Sequence, residues 1–316
     1  VTKLVIGSQL GAGFDRYLSD IEGIEIVGLP DVRPWEKAMD VDVLWASPHT
    51  GGWLGNPPRP AKWPGKLRWT QCASAGVDGA PDWFFDVQLV TATRGNNSAP
   101  IADYALLTIL AHDKRWDDIR IHQAKDWSYH PNPPLRRLEG QTLAILGYGR
   151  IGSEIAKRAL AFGMKVKAYR RSAAPAAEGV EVCASLGETV KDADHVAITI
   201  ALTDDTRHLV NAALLGMMKP GVHIVNVARG PVLDQAALLD ALESGQVGGA
   251  SLDVTDPEPL PDGHPLYHHP RVSITPHCSW SNRENSERVA RHFAENIQRY
   301  RNSEPMVDVV DLSLGY

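Results

Sequence analysis

The stretch that decides the fold is Thr142–Ala156, TLAILGYGRIGSEIA. Its opening TLAIL is a short apolar run of the kind that forms a buried strand. Gly147, Gly149 and Gly152 follow with the spacing GxGxxG, and a helical pattern carrying the small Ala156 comes next. Alone this spacing is weak, but between a strand and a helix it describes a dinucleotide-binding turn. The first glycine permits the tight turn, the second lets backbone approach a pyrophosphate, and the third lets helix pack on strand. The helix N-terminus then offers N–H groups and partial positive charge to the phosphates. Gly147, Tyr148, Gly149, Arg150, Ile151 and Gly152 are therefore candidate cofactor contacts. Gly11 and Gly13 also follow a strand, but Arg16 stands where the third glycine should be, and that segment reads as a structural turn.

Downstream the alternation of strand and helix is regular. Val166–Tyr169, His195–Ile200, His223–Val227, Ala250–Val254 and Val272–Thr275 read as strands. Asp234–Ser244 reads as a helix with Asp234 as N-cap and Gly245 as its stop. Upstream, Leu4–Ile6, Val41–Trp45, Leu67–Thr70 and Gln88–Thr91 read as strands with helical stretches between them. Such alternation implies doubly wound parallel sheets. Ser98 opens a strong helix to about Trp116, with Ser98 as its N-cap and Pro100 in the first turn. Residues 56–64 (NPPRPAKWP) and 130–134 are broken by prolines, which fix φ and remove donors. The expected division is a first domain of residues 1–97 plus 283–316, and a dinucleotide-binding domain of residues 98–282.

The strand after the glycine helix ends in Tyr169-Arg170-Arg171-Ser172, where an acidic residue would normally bind the ribose 2′-OH. An arginine pair attracts a 2′-phosphate instead. Arg170, Arg171 and Ser172 are thus candidate contacts that favour NADP(H), with NAD(H) as the alternative cofactor.

Three more segments fall at strand ends, where open α/β sheets place ligands. They are VNVARG (225–230), LDVTDPEP (252–259) and TPHCSW (275–280). Reducing a 2-oxo acid requires a cation for the carboxylate and ketone, and an acid for the developing alkoxide. Arg229 supplies the cation and His277 the acid. A carboxylate beside an imidazolium favours its protonated form, a role open to Glu258.

The bulk numbers agree with a small-molecule enzyme. At 316 residues the chain is long enough for about two domains. A formal net charge of −6 offers no electrostatic footprint for nucleic acid or an anionic membrane. The three cysteines are far apart and form neither a CxxC pair nor a zinc spacing. No apolar run approaches a membrane span, and the N-terminal residues do not read as a signal peptide, so a cytoplasmic protein is expected.

GYGRIG, NVARG, the LDV and PEPL segments and TPH occur together in the order and approximate spacing of the D-isomer-specific 2-hydroxyacid dehydrogenases. The chain resembles that family over nearly its full length, and most resembles its glyoxylate/hydroxypyruvate reductases. The resemblance implies two Rossmann-like domains with an active-site cleft between them, and NAD(P)H-dependent reduction of a small 2-oxo acid, or the reverse. It implies that Arg229 binds substrate, His277 donates the proton and Glu258 pairs with His277. It further implies that Ala228 and Asp253 lie at the cofactor, Asp253 on the nicotinamide carboxamide. CASAGVDGA resembles the family's carboxylate-binding loop, with the N–H groups of Ala75 and Gly76 as donors. Trp280, where many members carry a small residue, is a candidate wall of the substrate pocket. Gly51-Gly52-Trp53 and the proline-rich loop can line the pocket or lie elsewhere. Family members are typically dimers, a role in which Trp116 and Trp127 would be interface residues rather than core. Alternatives on the same fold are a phosphoglycerate dehydrogenase-like enzyme and a non-catalytic dinucleotide sensor. Formate dehydrogenases pair their histidine with glutamine, which Glu258 disfavours.

Overall fold

The computed structural model describes residues 3–49, 51–128, 130–171 and 175–311. The chain divides into two compact units, Val1–Asn96 with Asn282–Tyr316, and Asn97–Ser281. The longer helices among the described residues are α1 (Ser98–Asp113), α2 (Arg150–Ala161), α3 (Gln235–Glu243) and α4 (Asn285–Arg301).

The first unit holds β1 (Leu4–Ser8), β2 (Ile24–Gly28), β3 (Val43–Ala46), β4 (Trp69–Cys72) and β5 (Leu89–Thr91). They form one parallel sheet in the order β2-β1-β3-β4-β5, the flavodoxin-like winding. Successive side chains of a strand face opposite sides, and both faces are covered here. Val43, Trp45 and Trp69 share a cluster with Phe293 and Ile297 of α4. Leu44 and Ala46 share another with Trp53, Trp63, Trp83 and Phe84. Trp53 is fully buried in that aromatic cluster, so it is a core residue and not a pocket wall. Burying a large apolar side chain of this kind stabilises by roughly 1.5–3 kcal/mol.

The second unit holds β6 (Thr142–Leu146), β7 (Lys165–Tyr169), β8 (Val180–Val182), β9 (His195–Ile198), β10 (Val222–Asn226), β11 (Val247–Leu252) and β12 (Val272–Ile274). Its parallel sheet runs β12-β11-β10-β9-β6-β7-β8. The winding reverses between β6 and β9, and a crevice opens at such a point beyond the carboxyl ends of the strands. Leu143 and Ile145 pack with Ala102, Ala105, Ile155 and Ala156 of α1 and α2. Ala144 and Leu146 face the other layer with Leu238 and Leu242 of α3.

Asp234 caps α3 as expected, its carboxylate accepting the Ala236 and Ala237 N–H groups. Ser98 is not the cap of α1. It is the first helical residue, preceded by Asn97, whose side chain makes no capping bond. Two strands escaped the sequence reading, β2 and β8, and both lie at sheet edges. Trp116 and Trp127 are 57% and 60% exposed, which removes them from the core. No helix of the described residues is long and apolar enough to cross a membrane.

Candidate functional site

The glycine turn leads from β6 into α2. Gly147 has φ of +108°, and its N–H and that of Tyr148 both donate to the Tyr169 carbonyl at the end of β7. A Cβ at Gly147 would come within 2.7 Å of the Ile200 nitrogen, and one at Gly152 within 2.5 Å of the Gly147 carbonyl oxygen. Both positions exclude a side chain for packing reasons. Gly149 differs, because a Cβ there would meet nothing within 4 Å. The space beside it is open, as a turn that cradles a phosphate requires. Arg150 and Ile151 begin α2, so the first-turn N–H groups face this opening from a helix N-terminus.

Arg170 follows β7 directly. Its guanidinium carbon lies 5.5 Å from the centre of the Tyr148 ring, within the range of a cation–π contact. Its Nε and Nη2 are buried and have no hydrogen-bond partner among the described residues. Buried donors without acceptors are costly, and an anionic oxygen would relieve the cost. These observations fit a phosphorylated dinucleotide at this turn. Arg171 is exposed. Ser172 lies outside the described residues.

At the end of β10, the Asn226 side chain ties the next loop together. Its Oδ1 accepts the Ala228 N–H at 3.1 Å, and its Nδ2 donates to the Arg229 carbonyl at 3.1 Å. Ala228 is buried, and Arg229 Nη1 donates to the Ala228 carbonyl at 2.8 Å. Gly230 brings this loop against the one after β11, since a Cβ there would overlap the Thr255 carbonyl. Gln235 fixes the second loop through both its amide atoms, donating to the Asp256 carbonyl and accepting the Asp256 N–H.

The third loop follows β12. His277 Nδ1 donates to Glu258 Oε1 at 2.7 Å, with the two side chains 35% and 42% exposed. The pair is accessible, and Nε2 is left as the ring nitrogen that can reach a ligand. Asp253 is 1% exposed and organises this loop. Its carboxylate accepts from Thr275 Oγ1 at 2.7 Å, Cys278 N at 2.9 Å and Ser279 N at 3.0 Å. Thr275 is bonded in turn by the Tyr104 hydroxyl of α1 at 2.6 Å. Burial pushes that phenol up to about 12, so it stays a proton-bearing donor. Trp280 is 40% exposed, and its indole N–H donates to the His277 carbonyl at 2.7 Å.

The sequence-derived residues are thus arranged on three neighbouring strand ends, with Glu258 and His277 in direct contact. Asn226, Tyr104, Thr275 and Gln235 were not foreseen as supports. Thr275 and Asn226 stand in the motifs TPH and NVARG, which hints at their place. Tyr104 and Gln235 carry no local signal at all.

On the first unit, Ser74 Oγ and His49 Nε2 both bond the Gly76 carbonyl, at 2.8 Å and 3.0 Å. The N–H groups of Ala75 and Gly76 donate to no protein acceptor among the described residues. This loop therefore has its carbonyl anchored and its amides available.

Residues 106–279 match the family model described as D-isomer specific 2-hydroxyacid dehydrogenase, NAD binding domain. The chain is 31% identical over 301 residues to a glyoxylate/hydroxypyruvate reductase A of Serratia proteamaculans, covering 90% of this chain and 91% of that protein. Other curated relatives match over 34% to 69% of their own length. A solved D-isomer specific 2-hydroxyacid dehydrogenase family protein from Aeromonas salmonicida is 31% identical, with a TM-score of 0.83 over 98% of this chain and 99% of that one. A D-isomer specific 2-hydroxyacid dehydrogenase from Xanthobacter autotrophicus, solved with NADPH and MES, is 28% identical, with a TM-score of 0.81 over 100% of both chains.

Proposed function

The chain belongs to the D-isomer specific 2-hydroxyacid dehydrogenase family, and on that premise we propose that it reduces a small 2-oxo acid, of the glyoxylate or hydroxypyruvate kind, to its D-2-hydroxy acid. The observation that carries this reading is the accessible Glu258–His277 pair, bonded at 2.7 Å through Nδ1 so that Nε2 is open. A relative matched over 91% of its own length is named glyoxylate/hydroxypyruvate reductase A.

When bound, the reduced nicotinamide supplies a hydride for C2 of the substrate. Arg229 holds the substrate carboxylate and polarises the adjoining ketone, for which a guanidinium fork is suited. The Ala75 and Gly76 N–H groups of the first unit belong to this reading as carboxylate donors. His277 gives the Nε2 proton to the substrate oxygen as negative charge develops on it. Glu258 accepts the Nδ1–H and orients the ring. The 147–152 turn holds the pyrophosphate, and Ala228 lines the cofactor. Asp253 has three donors on its carboxylate, and an ionised carboxylate has about four acceptor positions. One remains for the nicotinamide carboxamide.

Arg170, with two buried and unpartnered donors, makes NADPH the preferred cofactor over NADH, with Arg171 and Ser172 contributing. A homodimer belongs to this reading, and the exposed Trp116 and Trp127 support it, since tryptophan is enriched at protein interfaces. Three free thiols, one of them the exposed Cys278, suit the cytoplasm.

The test is loss of reduced-nicotinamide absorbance with a panel of 2-oxo acids. Oxidation with glyoxylate or hydroxypyruvate, faster with NADPH than NADH, is expected. Arg170→Asp should shift the preference toward NADH by at least about tenfold, the scale of one charge-assisted contact. An unchanged cofactor ratio discards the 2′-phosphate argument. Bound cofactor with no turnover of any 2-oxo acid contradicts the reductase reading.

A further inference from the structure

His277 has φ of +49°, in the left-handed region that a residue with a side chain enters only at a cost. Such a conformation persists when its surroundings over-determine it, and here the contacts that do so can be traced. The His277 N–H donates to the carbonyls of Asp253 at 2.9 Å and Thr275 at 3.0 Å. The peptide that follows, between His277 and Cys278, is held at both ends. Its N–H, on Cys278, donates to the buried Asp253 carboxylate at 2.9 Å. Its carbonyl, on His277, accepts the indole N–H of Trp280 at 2.7 Å. Among the described residues that is the one hydrogen bond the His277 carbonyl receives.

We propose that Trp280 is a positioning residue for the proton donor: its N–H pins the His277 peptide from the outside, as Asp253 pins it from the inside. A peptide fixed at one end only can tilt about its N–H bond. The tilt changes the direction of the His277 Cα–Cβ bond and draws Nδ1 away from Glu258. With both ends fixed, the ring keeps its Glu258 bond and presents Nε2 in one direction. The chemistry asked of Trp280 is one directed N–H, from a residue that is 40% exposed. The inference rests on the reading of His277 as proton donor.

Trp280→Phe keeps an aromatic ring and removes the N–H. In the full chain it should lower kcat for glyoxylate reduction with NADPH about five- to tenfold, the factor one such hydrogen bond is worth. The KM values for glyoxylate and NADPH should stay within about twofold, because ground-state binding is not touched. In cofactor-free protein, the low-field Nδ1 proton resonance of His277, identified by its loss in His277→Gln, should broaden or vanish in Trp280→Phe. An unchanged kcat with an unchanged resonance overturns the proposal. So does a fall in thermal midpoint with kcat intact, which marks a merely structural residue. A normal Trp280→Phe beside a Trp280→Leu that redistributes kcat/KM between glyoxylate and a bulkier 2-oxo acid also overturns it, and makes the ring a pocket wall. If the parent turns over no 2-oxo acid, the functional reading has failed, and the resonance alone still decides whether Trp280 orders His277.

Discussion

The second unit carries histidines at both ends of its parallel sheet, and the two ends use the same side chain in opposite ways. Beyond the carboxyl ends, His277 is partly exposed, paired with Glu258, and has a ring nitrogen free for a ligand. At the amino ends, His195 opens β9 and His223 stands second in β10, both at most 1% exposed. Their Nδ1 atoms are 3.2 Å apart. The Gln141 amide oxygen, 2.9 Å from His195 Nε2, makes that nitrogen the donor. His223 Nε2 lies 3.0 Å from the Ser251 hydroxyl, so the two imidazoles join Gln141 and Ser251 in one buried hydrogen-bonded row. His112 of α1 stacks on His223 with ring centres 4.1 Å apart and planes 3° apart. Asp113 lies 3.5 Å from His195 Nε2, and Arg136 3.6 Å from Asp113.

Burial, reinforced by the neighbouring imidazole of His195, pulls His112 down to about 4. Burial, with His112 and His195 adding to it, holds His223 well below the usual imidazole range. The contrast is one of surroundings. An acceptor carboxylate and access to solvent make one imidazole a candidate proton donor. Dry packing among other rings keeps His112 and His223 neutral structural elements.

The comparison breaks most sharply at Glu258. Glu258→Gln should lower reduction roughly 10²-fold at neutral pH, with the fold intact. Steady-state rates check this, and a rate near the parent's separates Glu258 from the proton transfer. A smaller effect is expected at the other end of the sheet. His112 is displaced downward in the folded chain, so the unfolded chain takes up the proton first. Its contribution to stability is complete above about 6.5 and is lost as pH falls toward about 4. A displacement of that size is on the order of 3 kcal/mol. His112→Phe keeps a stacked ring and should lessen the fall of the denaturation midpoint across that window, with His223 accounting for what remains, while leaving turnover at neutral pH unchanged. An equally steep loss of stability in the variant would mean that His112 does not contribute to the acid limit.

The same contrast explains what the sequence could and could not reveal. The glycine turn was legible because its strand, spacing and helix are contiguous, and the Asp234 cap because its partners are two and three residues away. Arg229, Glu258 and His277 were legible through short motifs at strand ends. β2 and β8 were not, because edge strands are half exposed and lack a continuous apolar run: β8 has one partly buried residue and two exposed ones. The donors to Asp253 come from residues 22 to 26 positions away, beyond any local pattern. The histidine cluster is equally non-local, since His112, His195 and His223 meet only when α1 packs beside β9 and β10. Trp53 read as a residue of a glycine-rich loop, and only the fold reveals it as part of an aromatic core.

The central claim is that His277 supplies the proton in a dehydrogenase built on the 147–152 turn, and it is tested most directly by His277→Gln. Turnover of glyoxylate or hydroxypyruvate and the affinity for NADPH are measured side by side, the latter by fluorescence titration. A fall in kcat of about 10²–10⁴-fold with NADPH affinity within about twofold of the parent is the predicted result. Turnover near that of the parent, with cofactor bound normally, would contradict it.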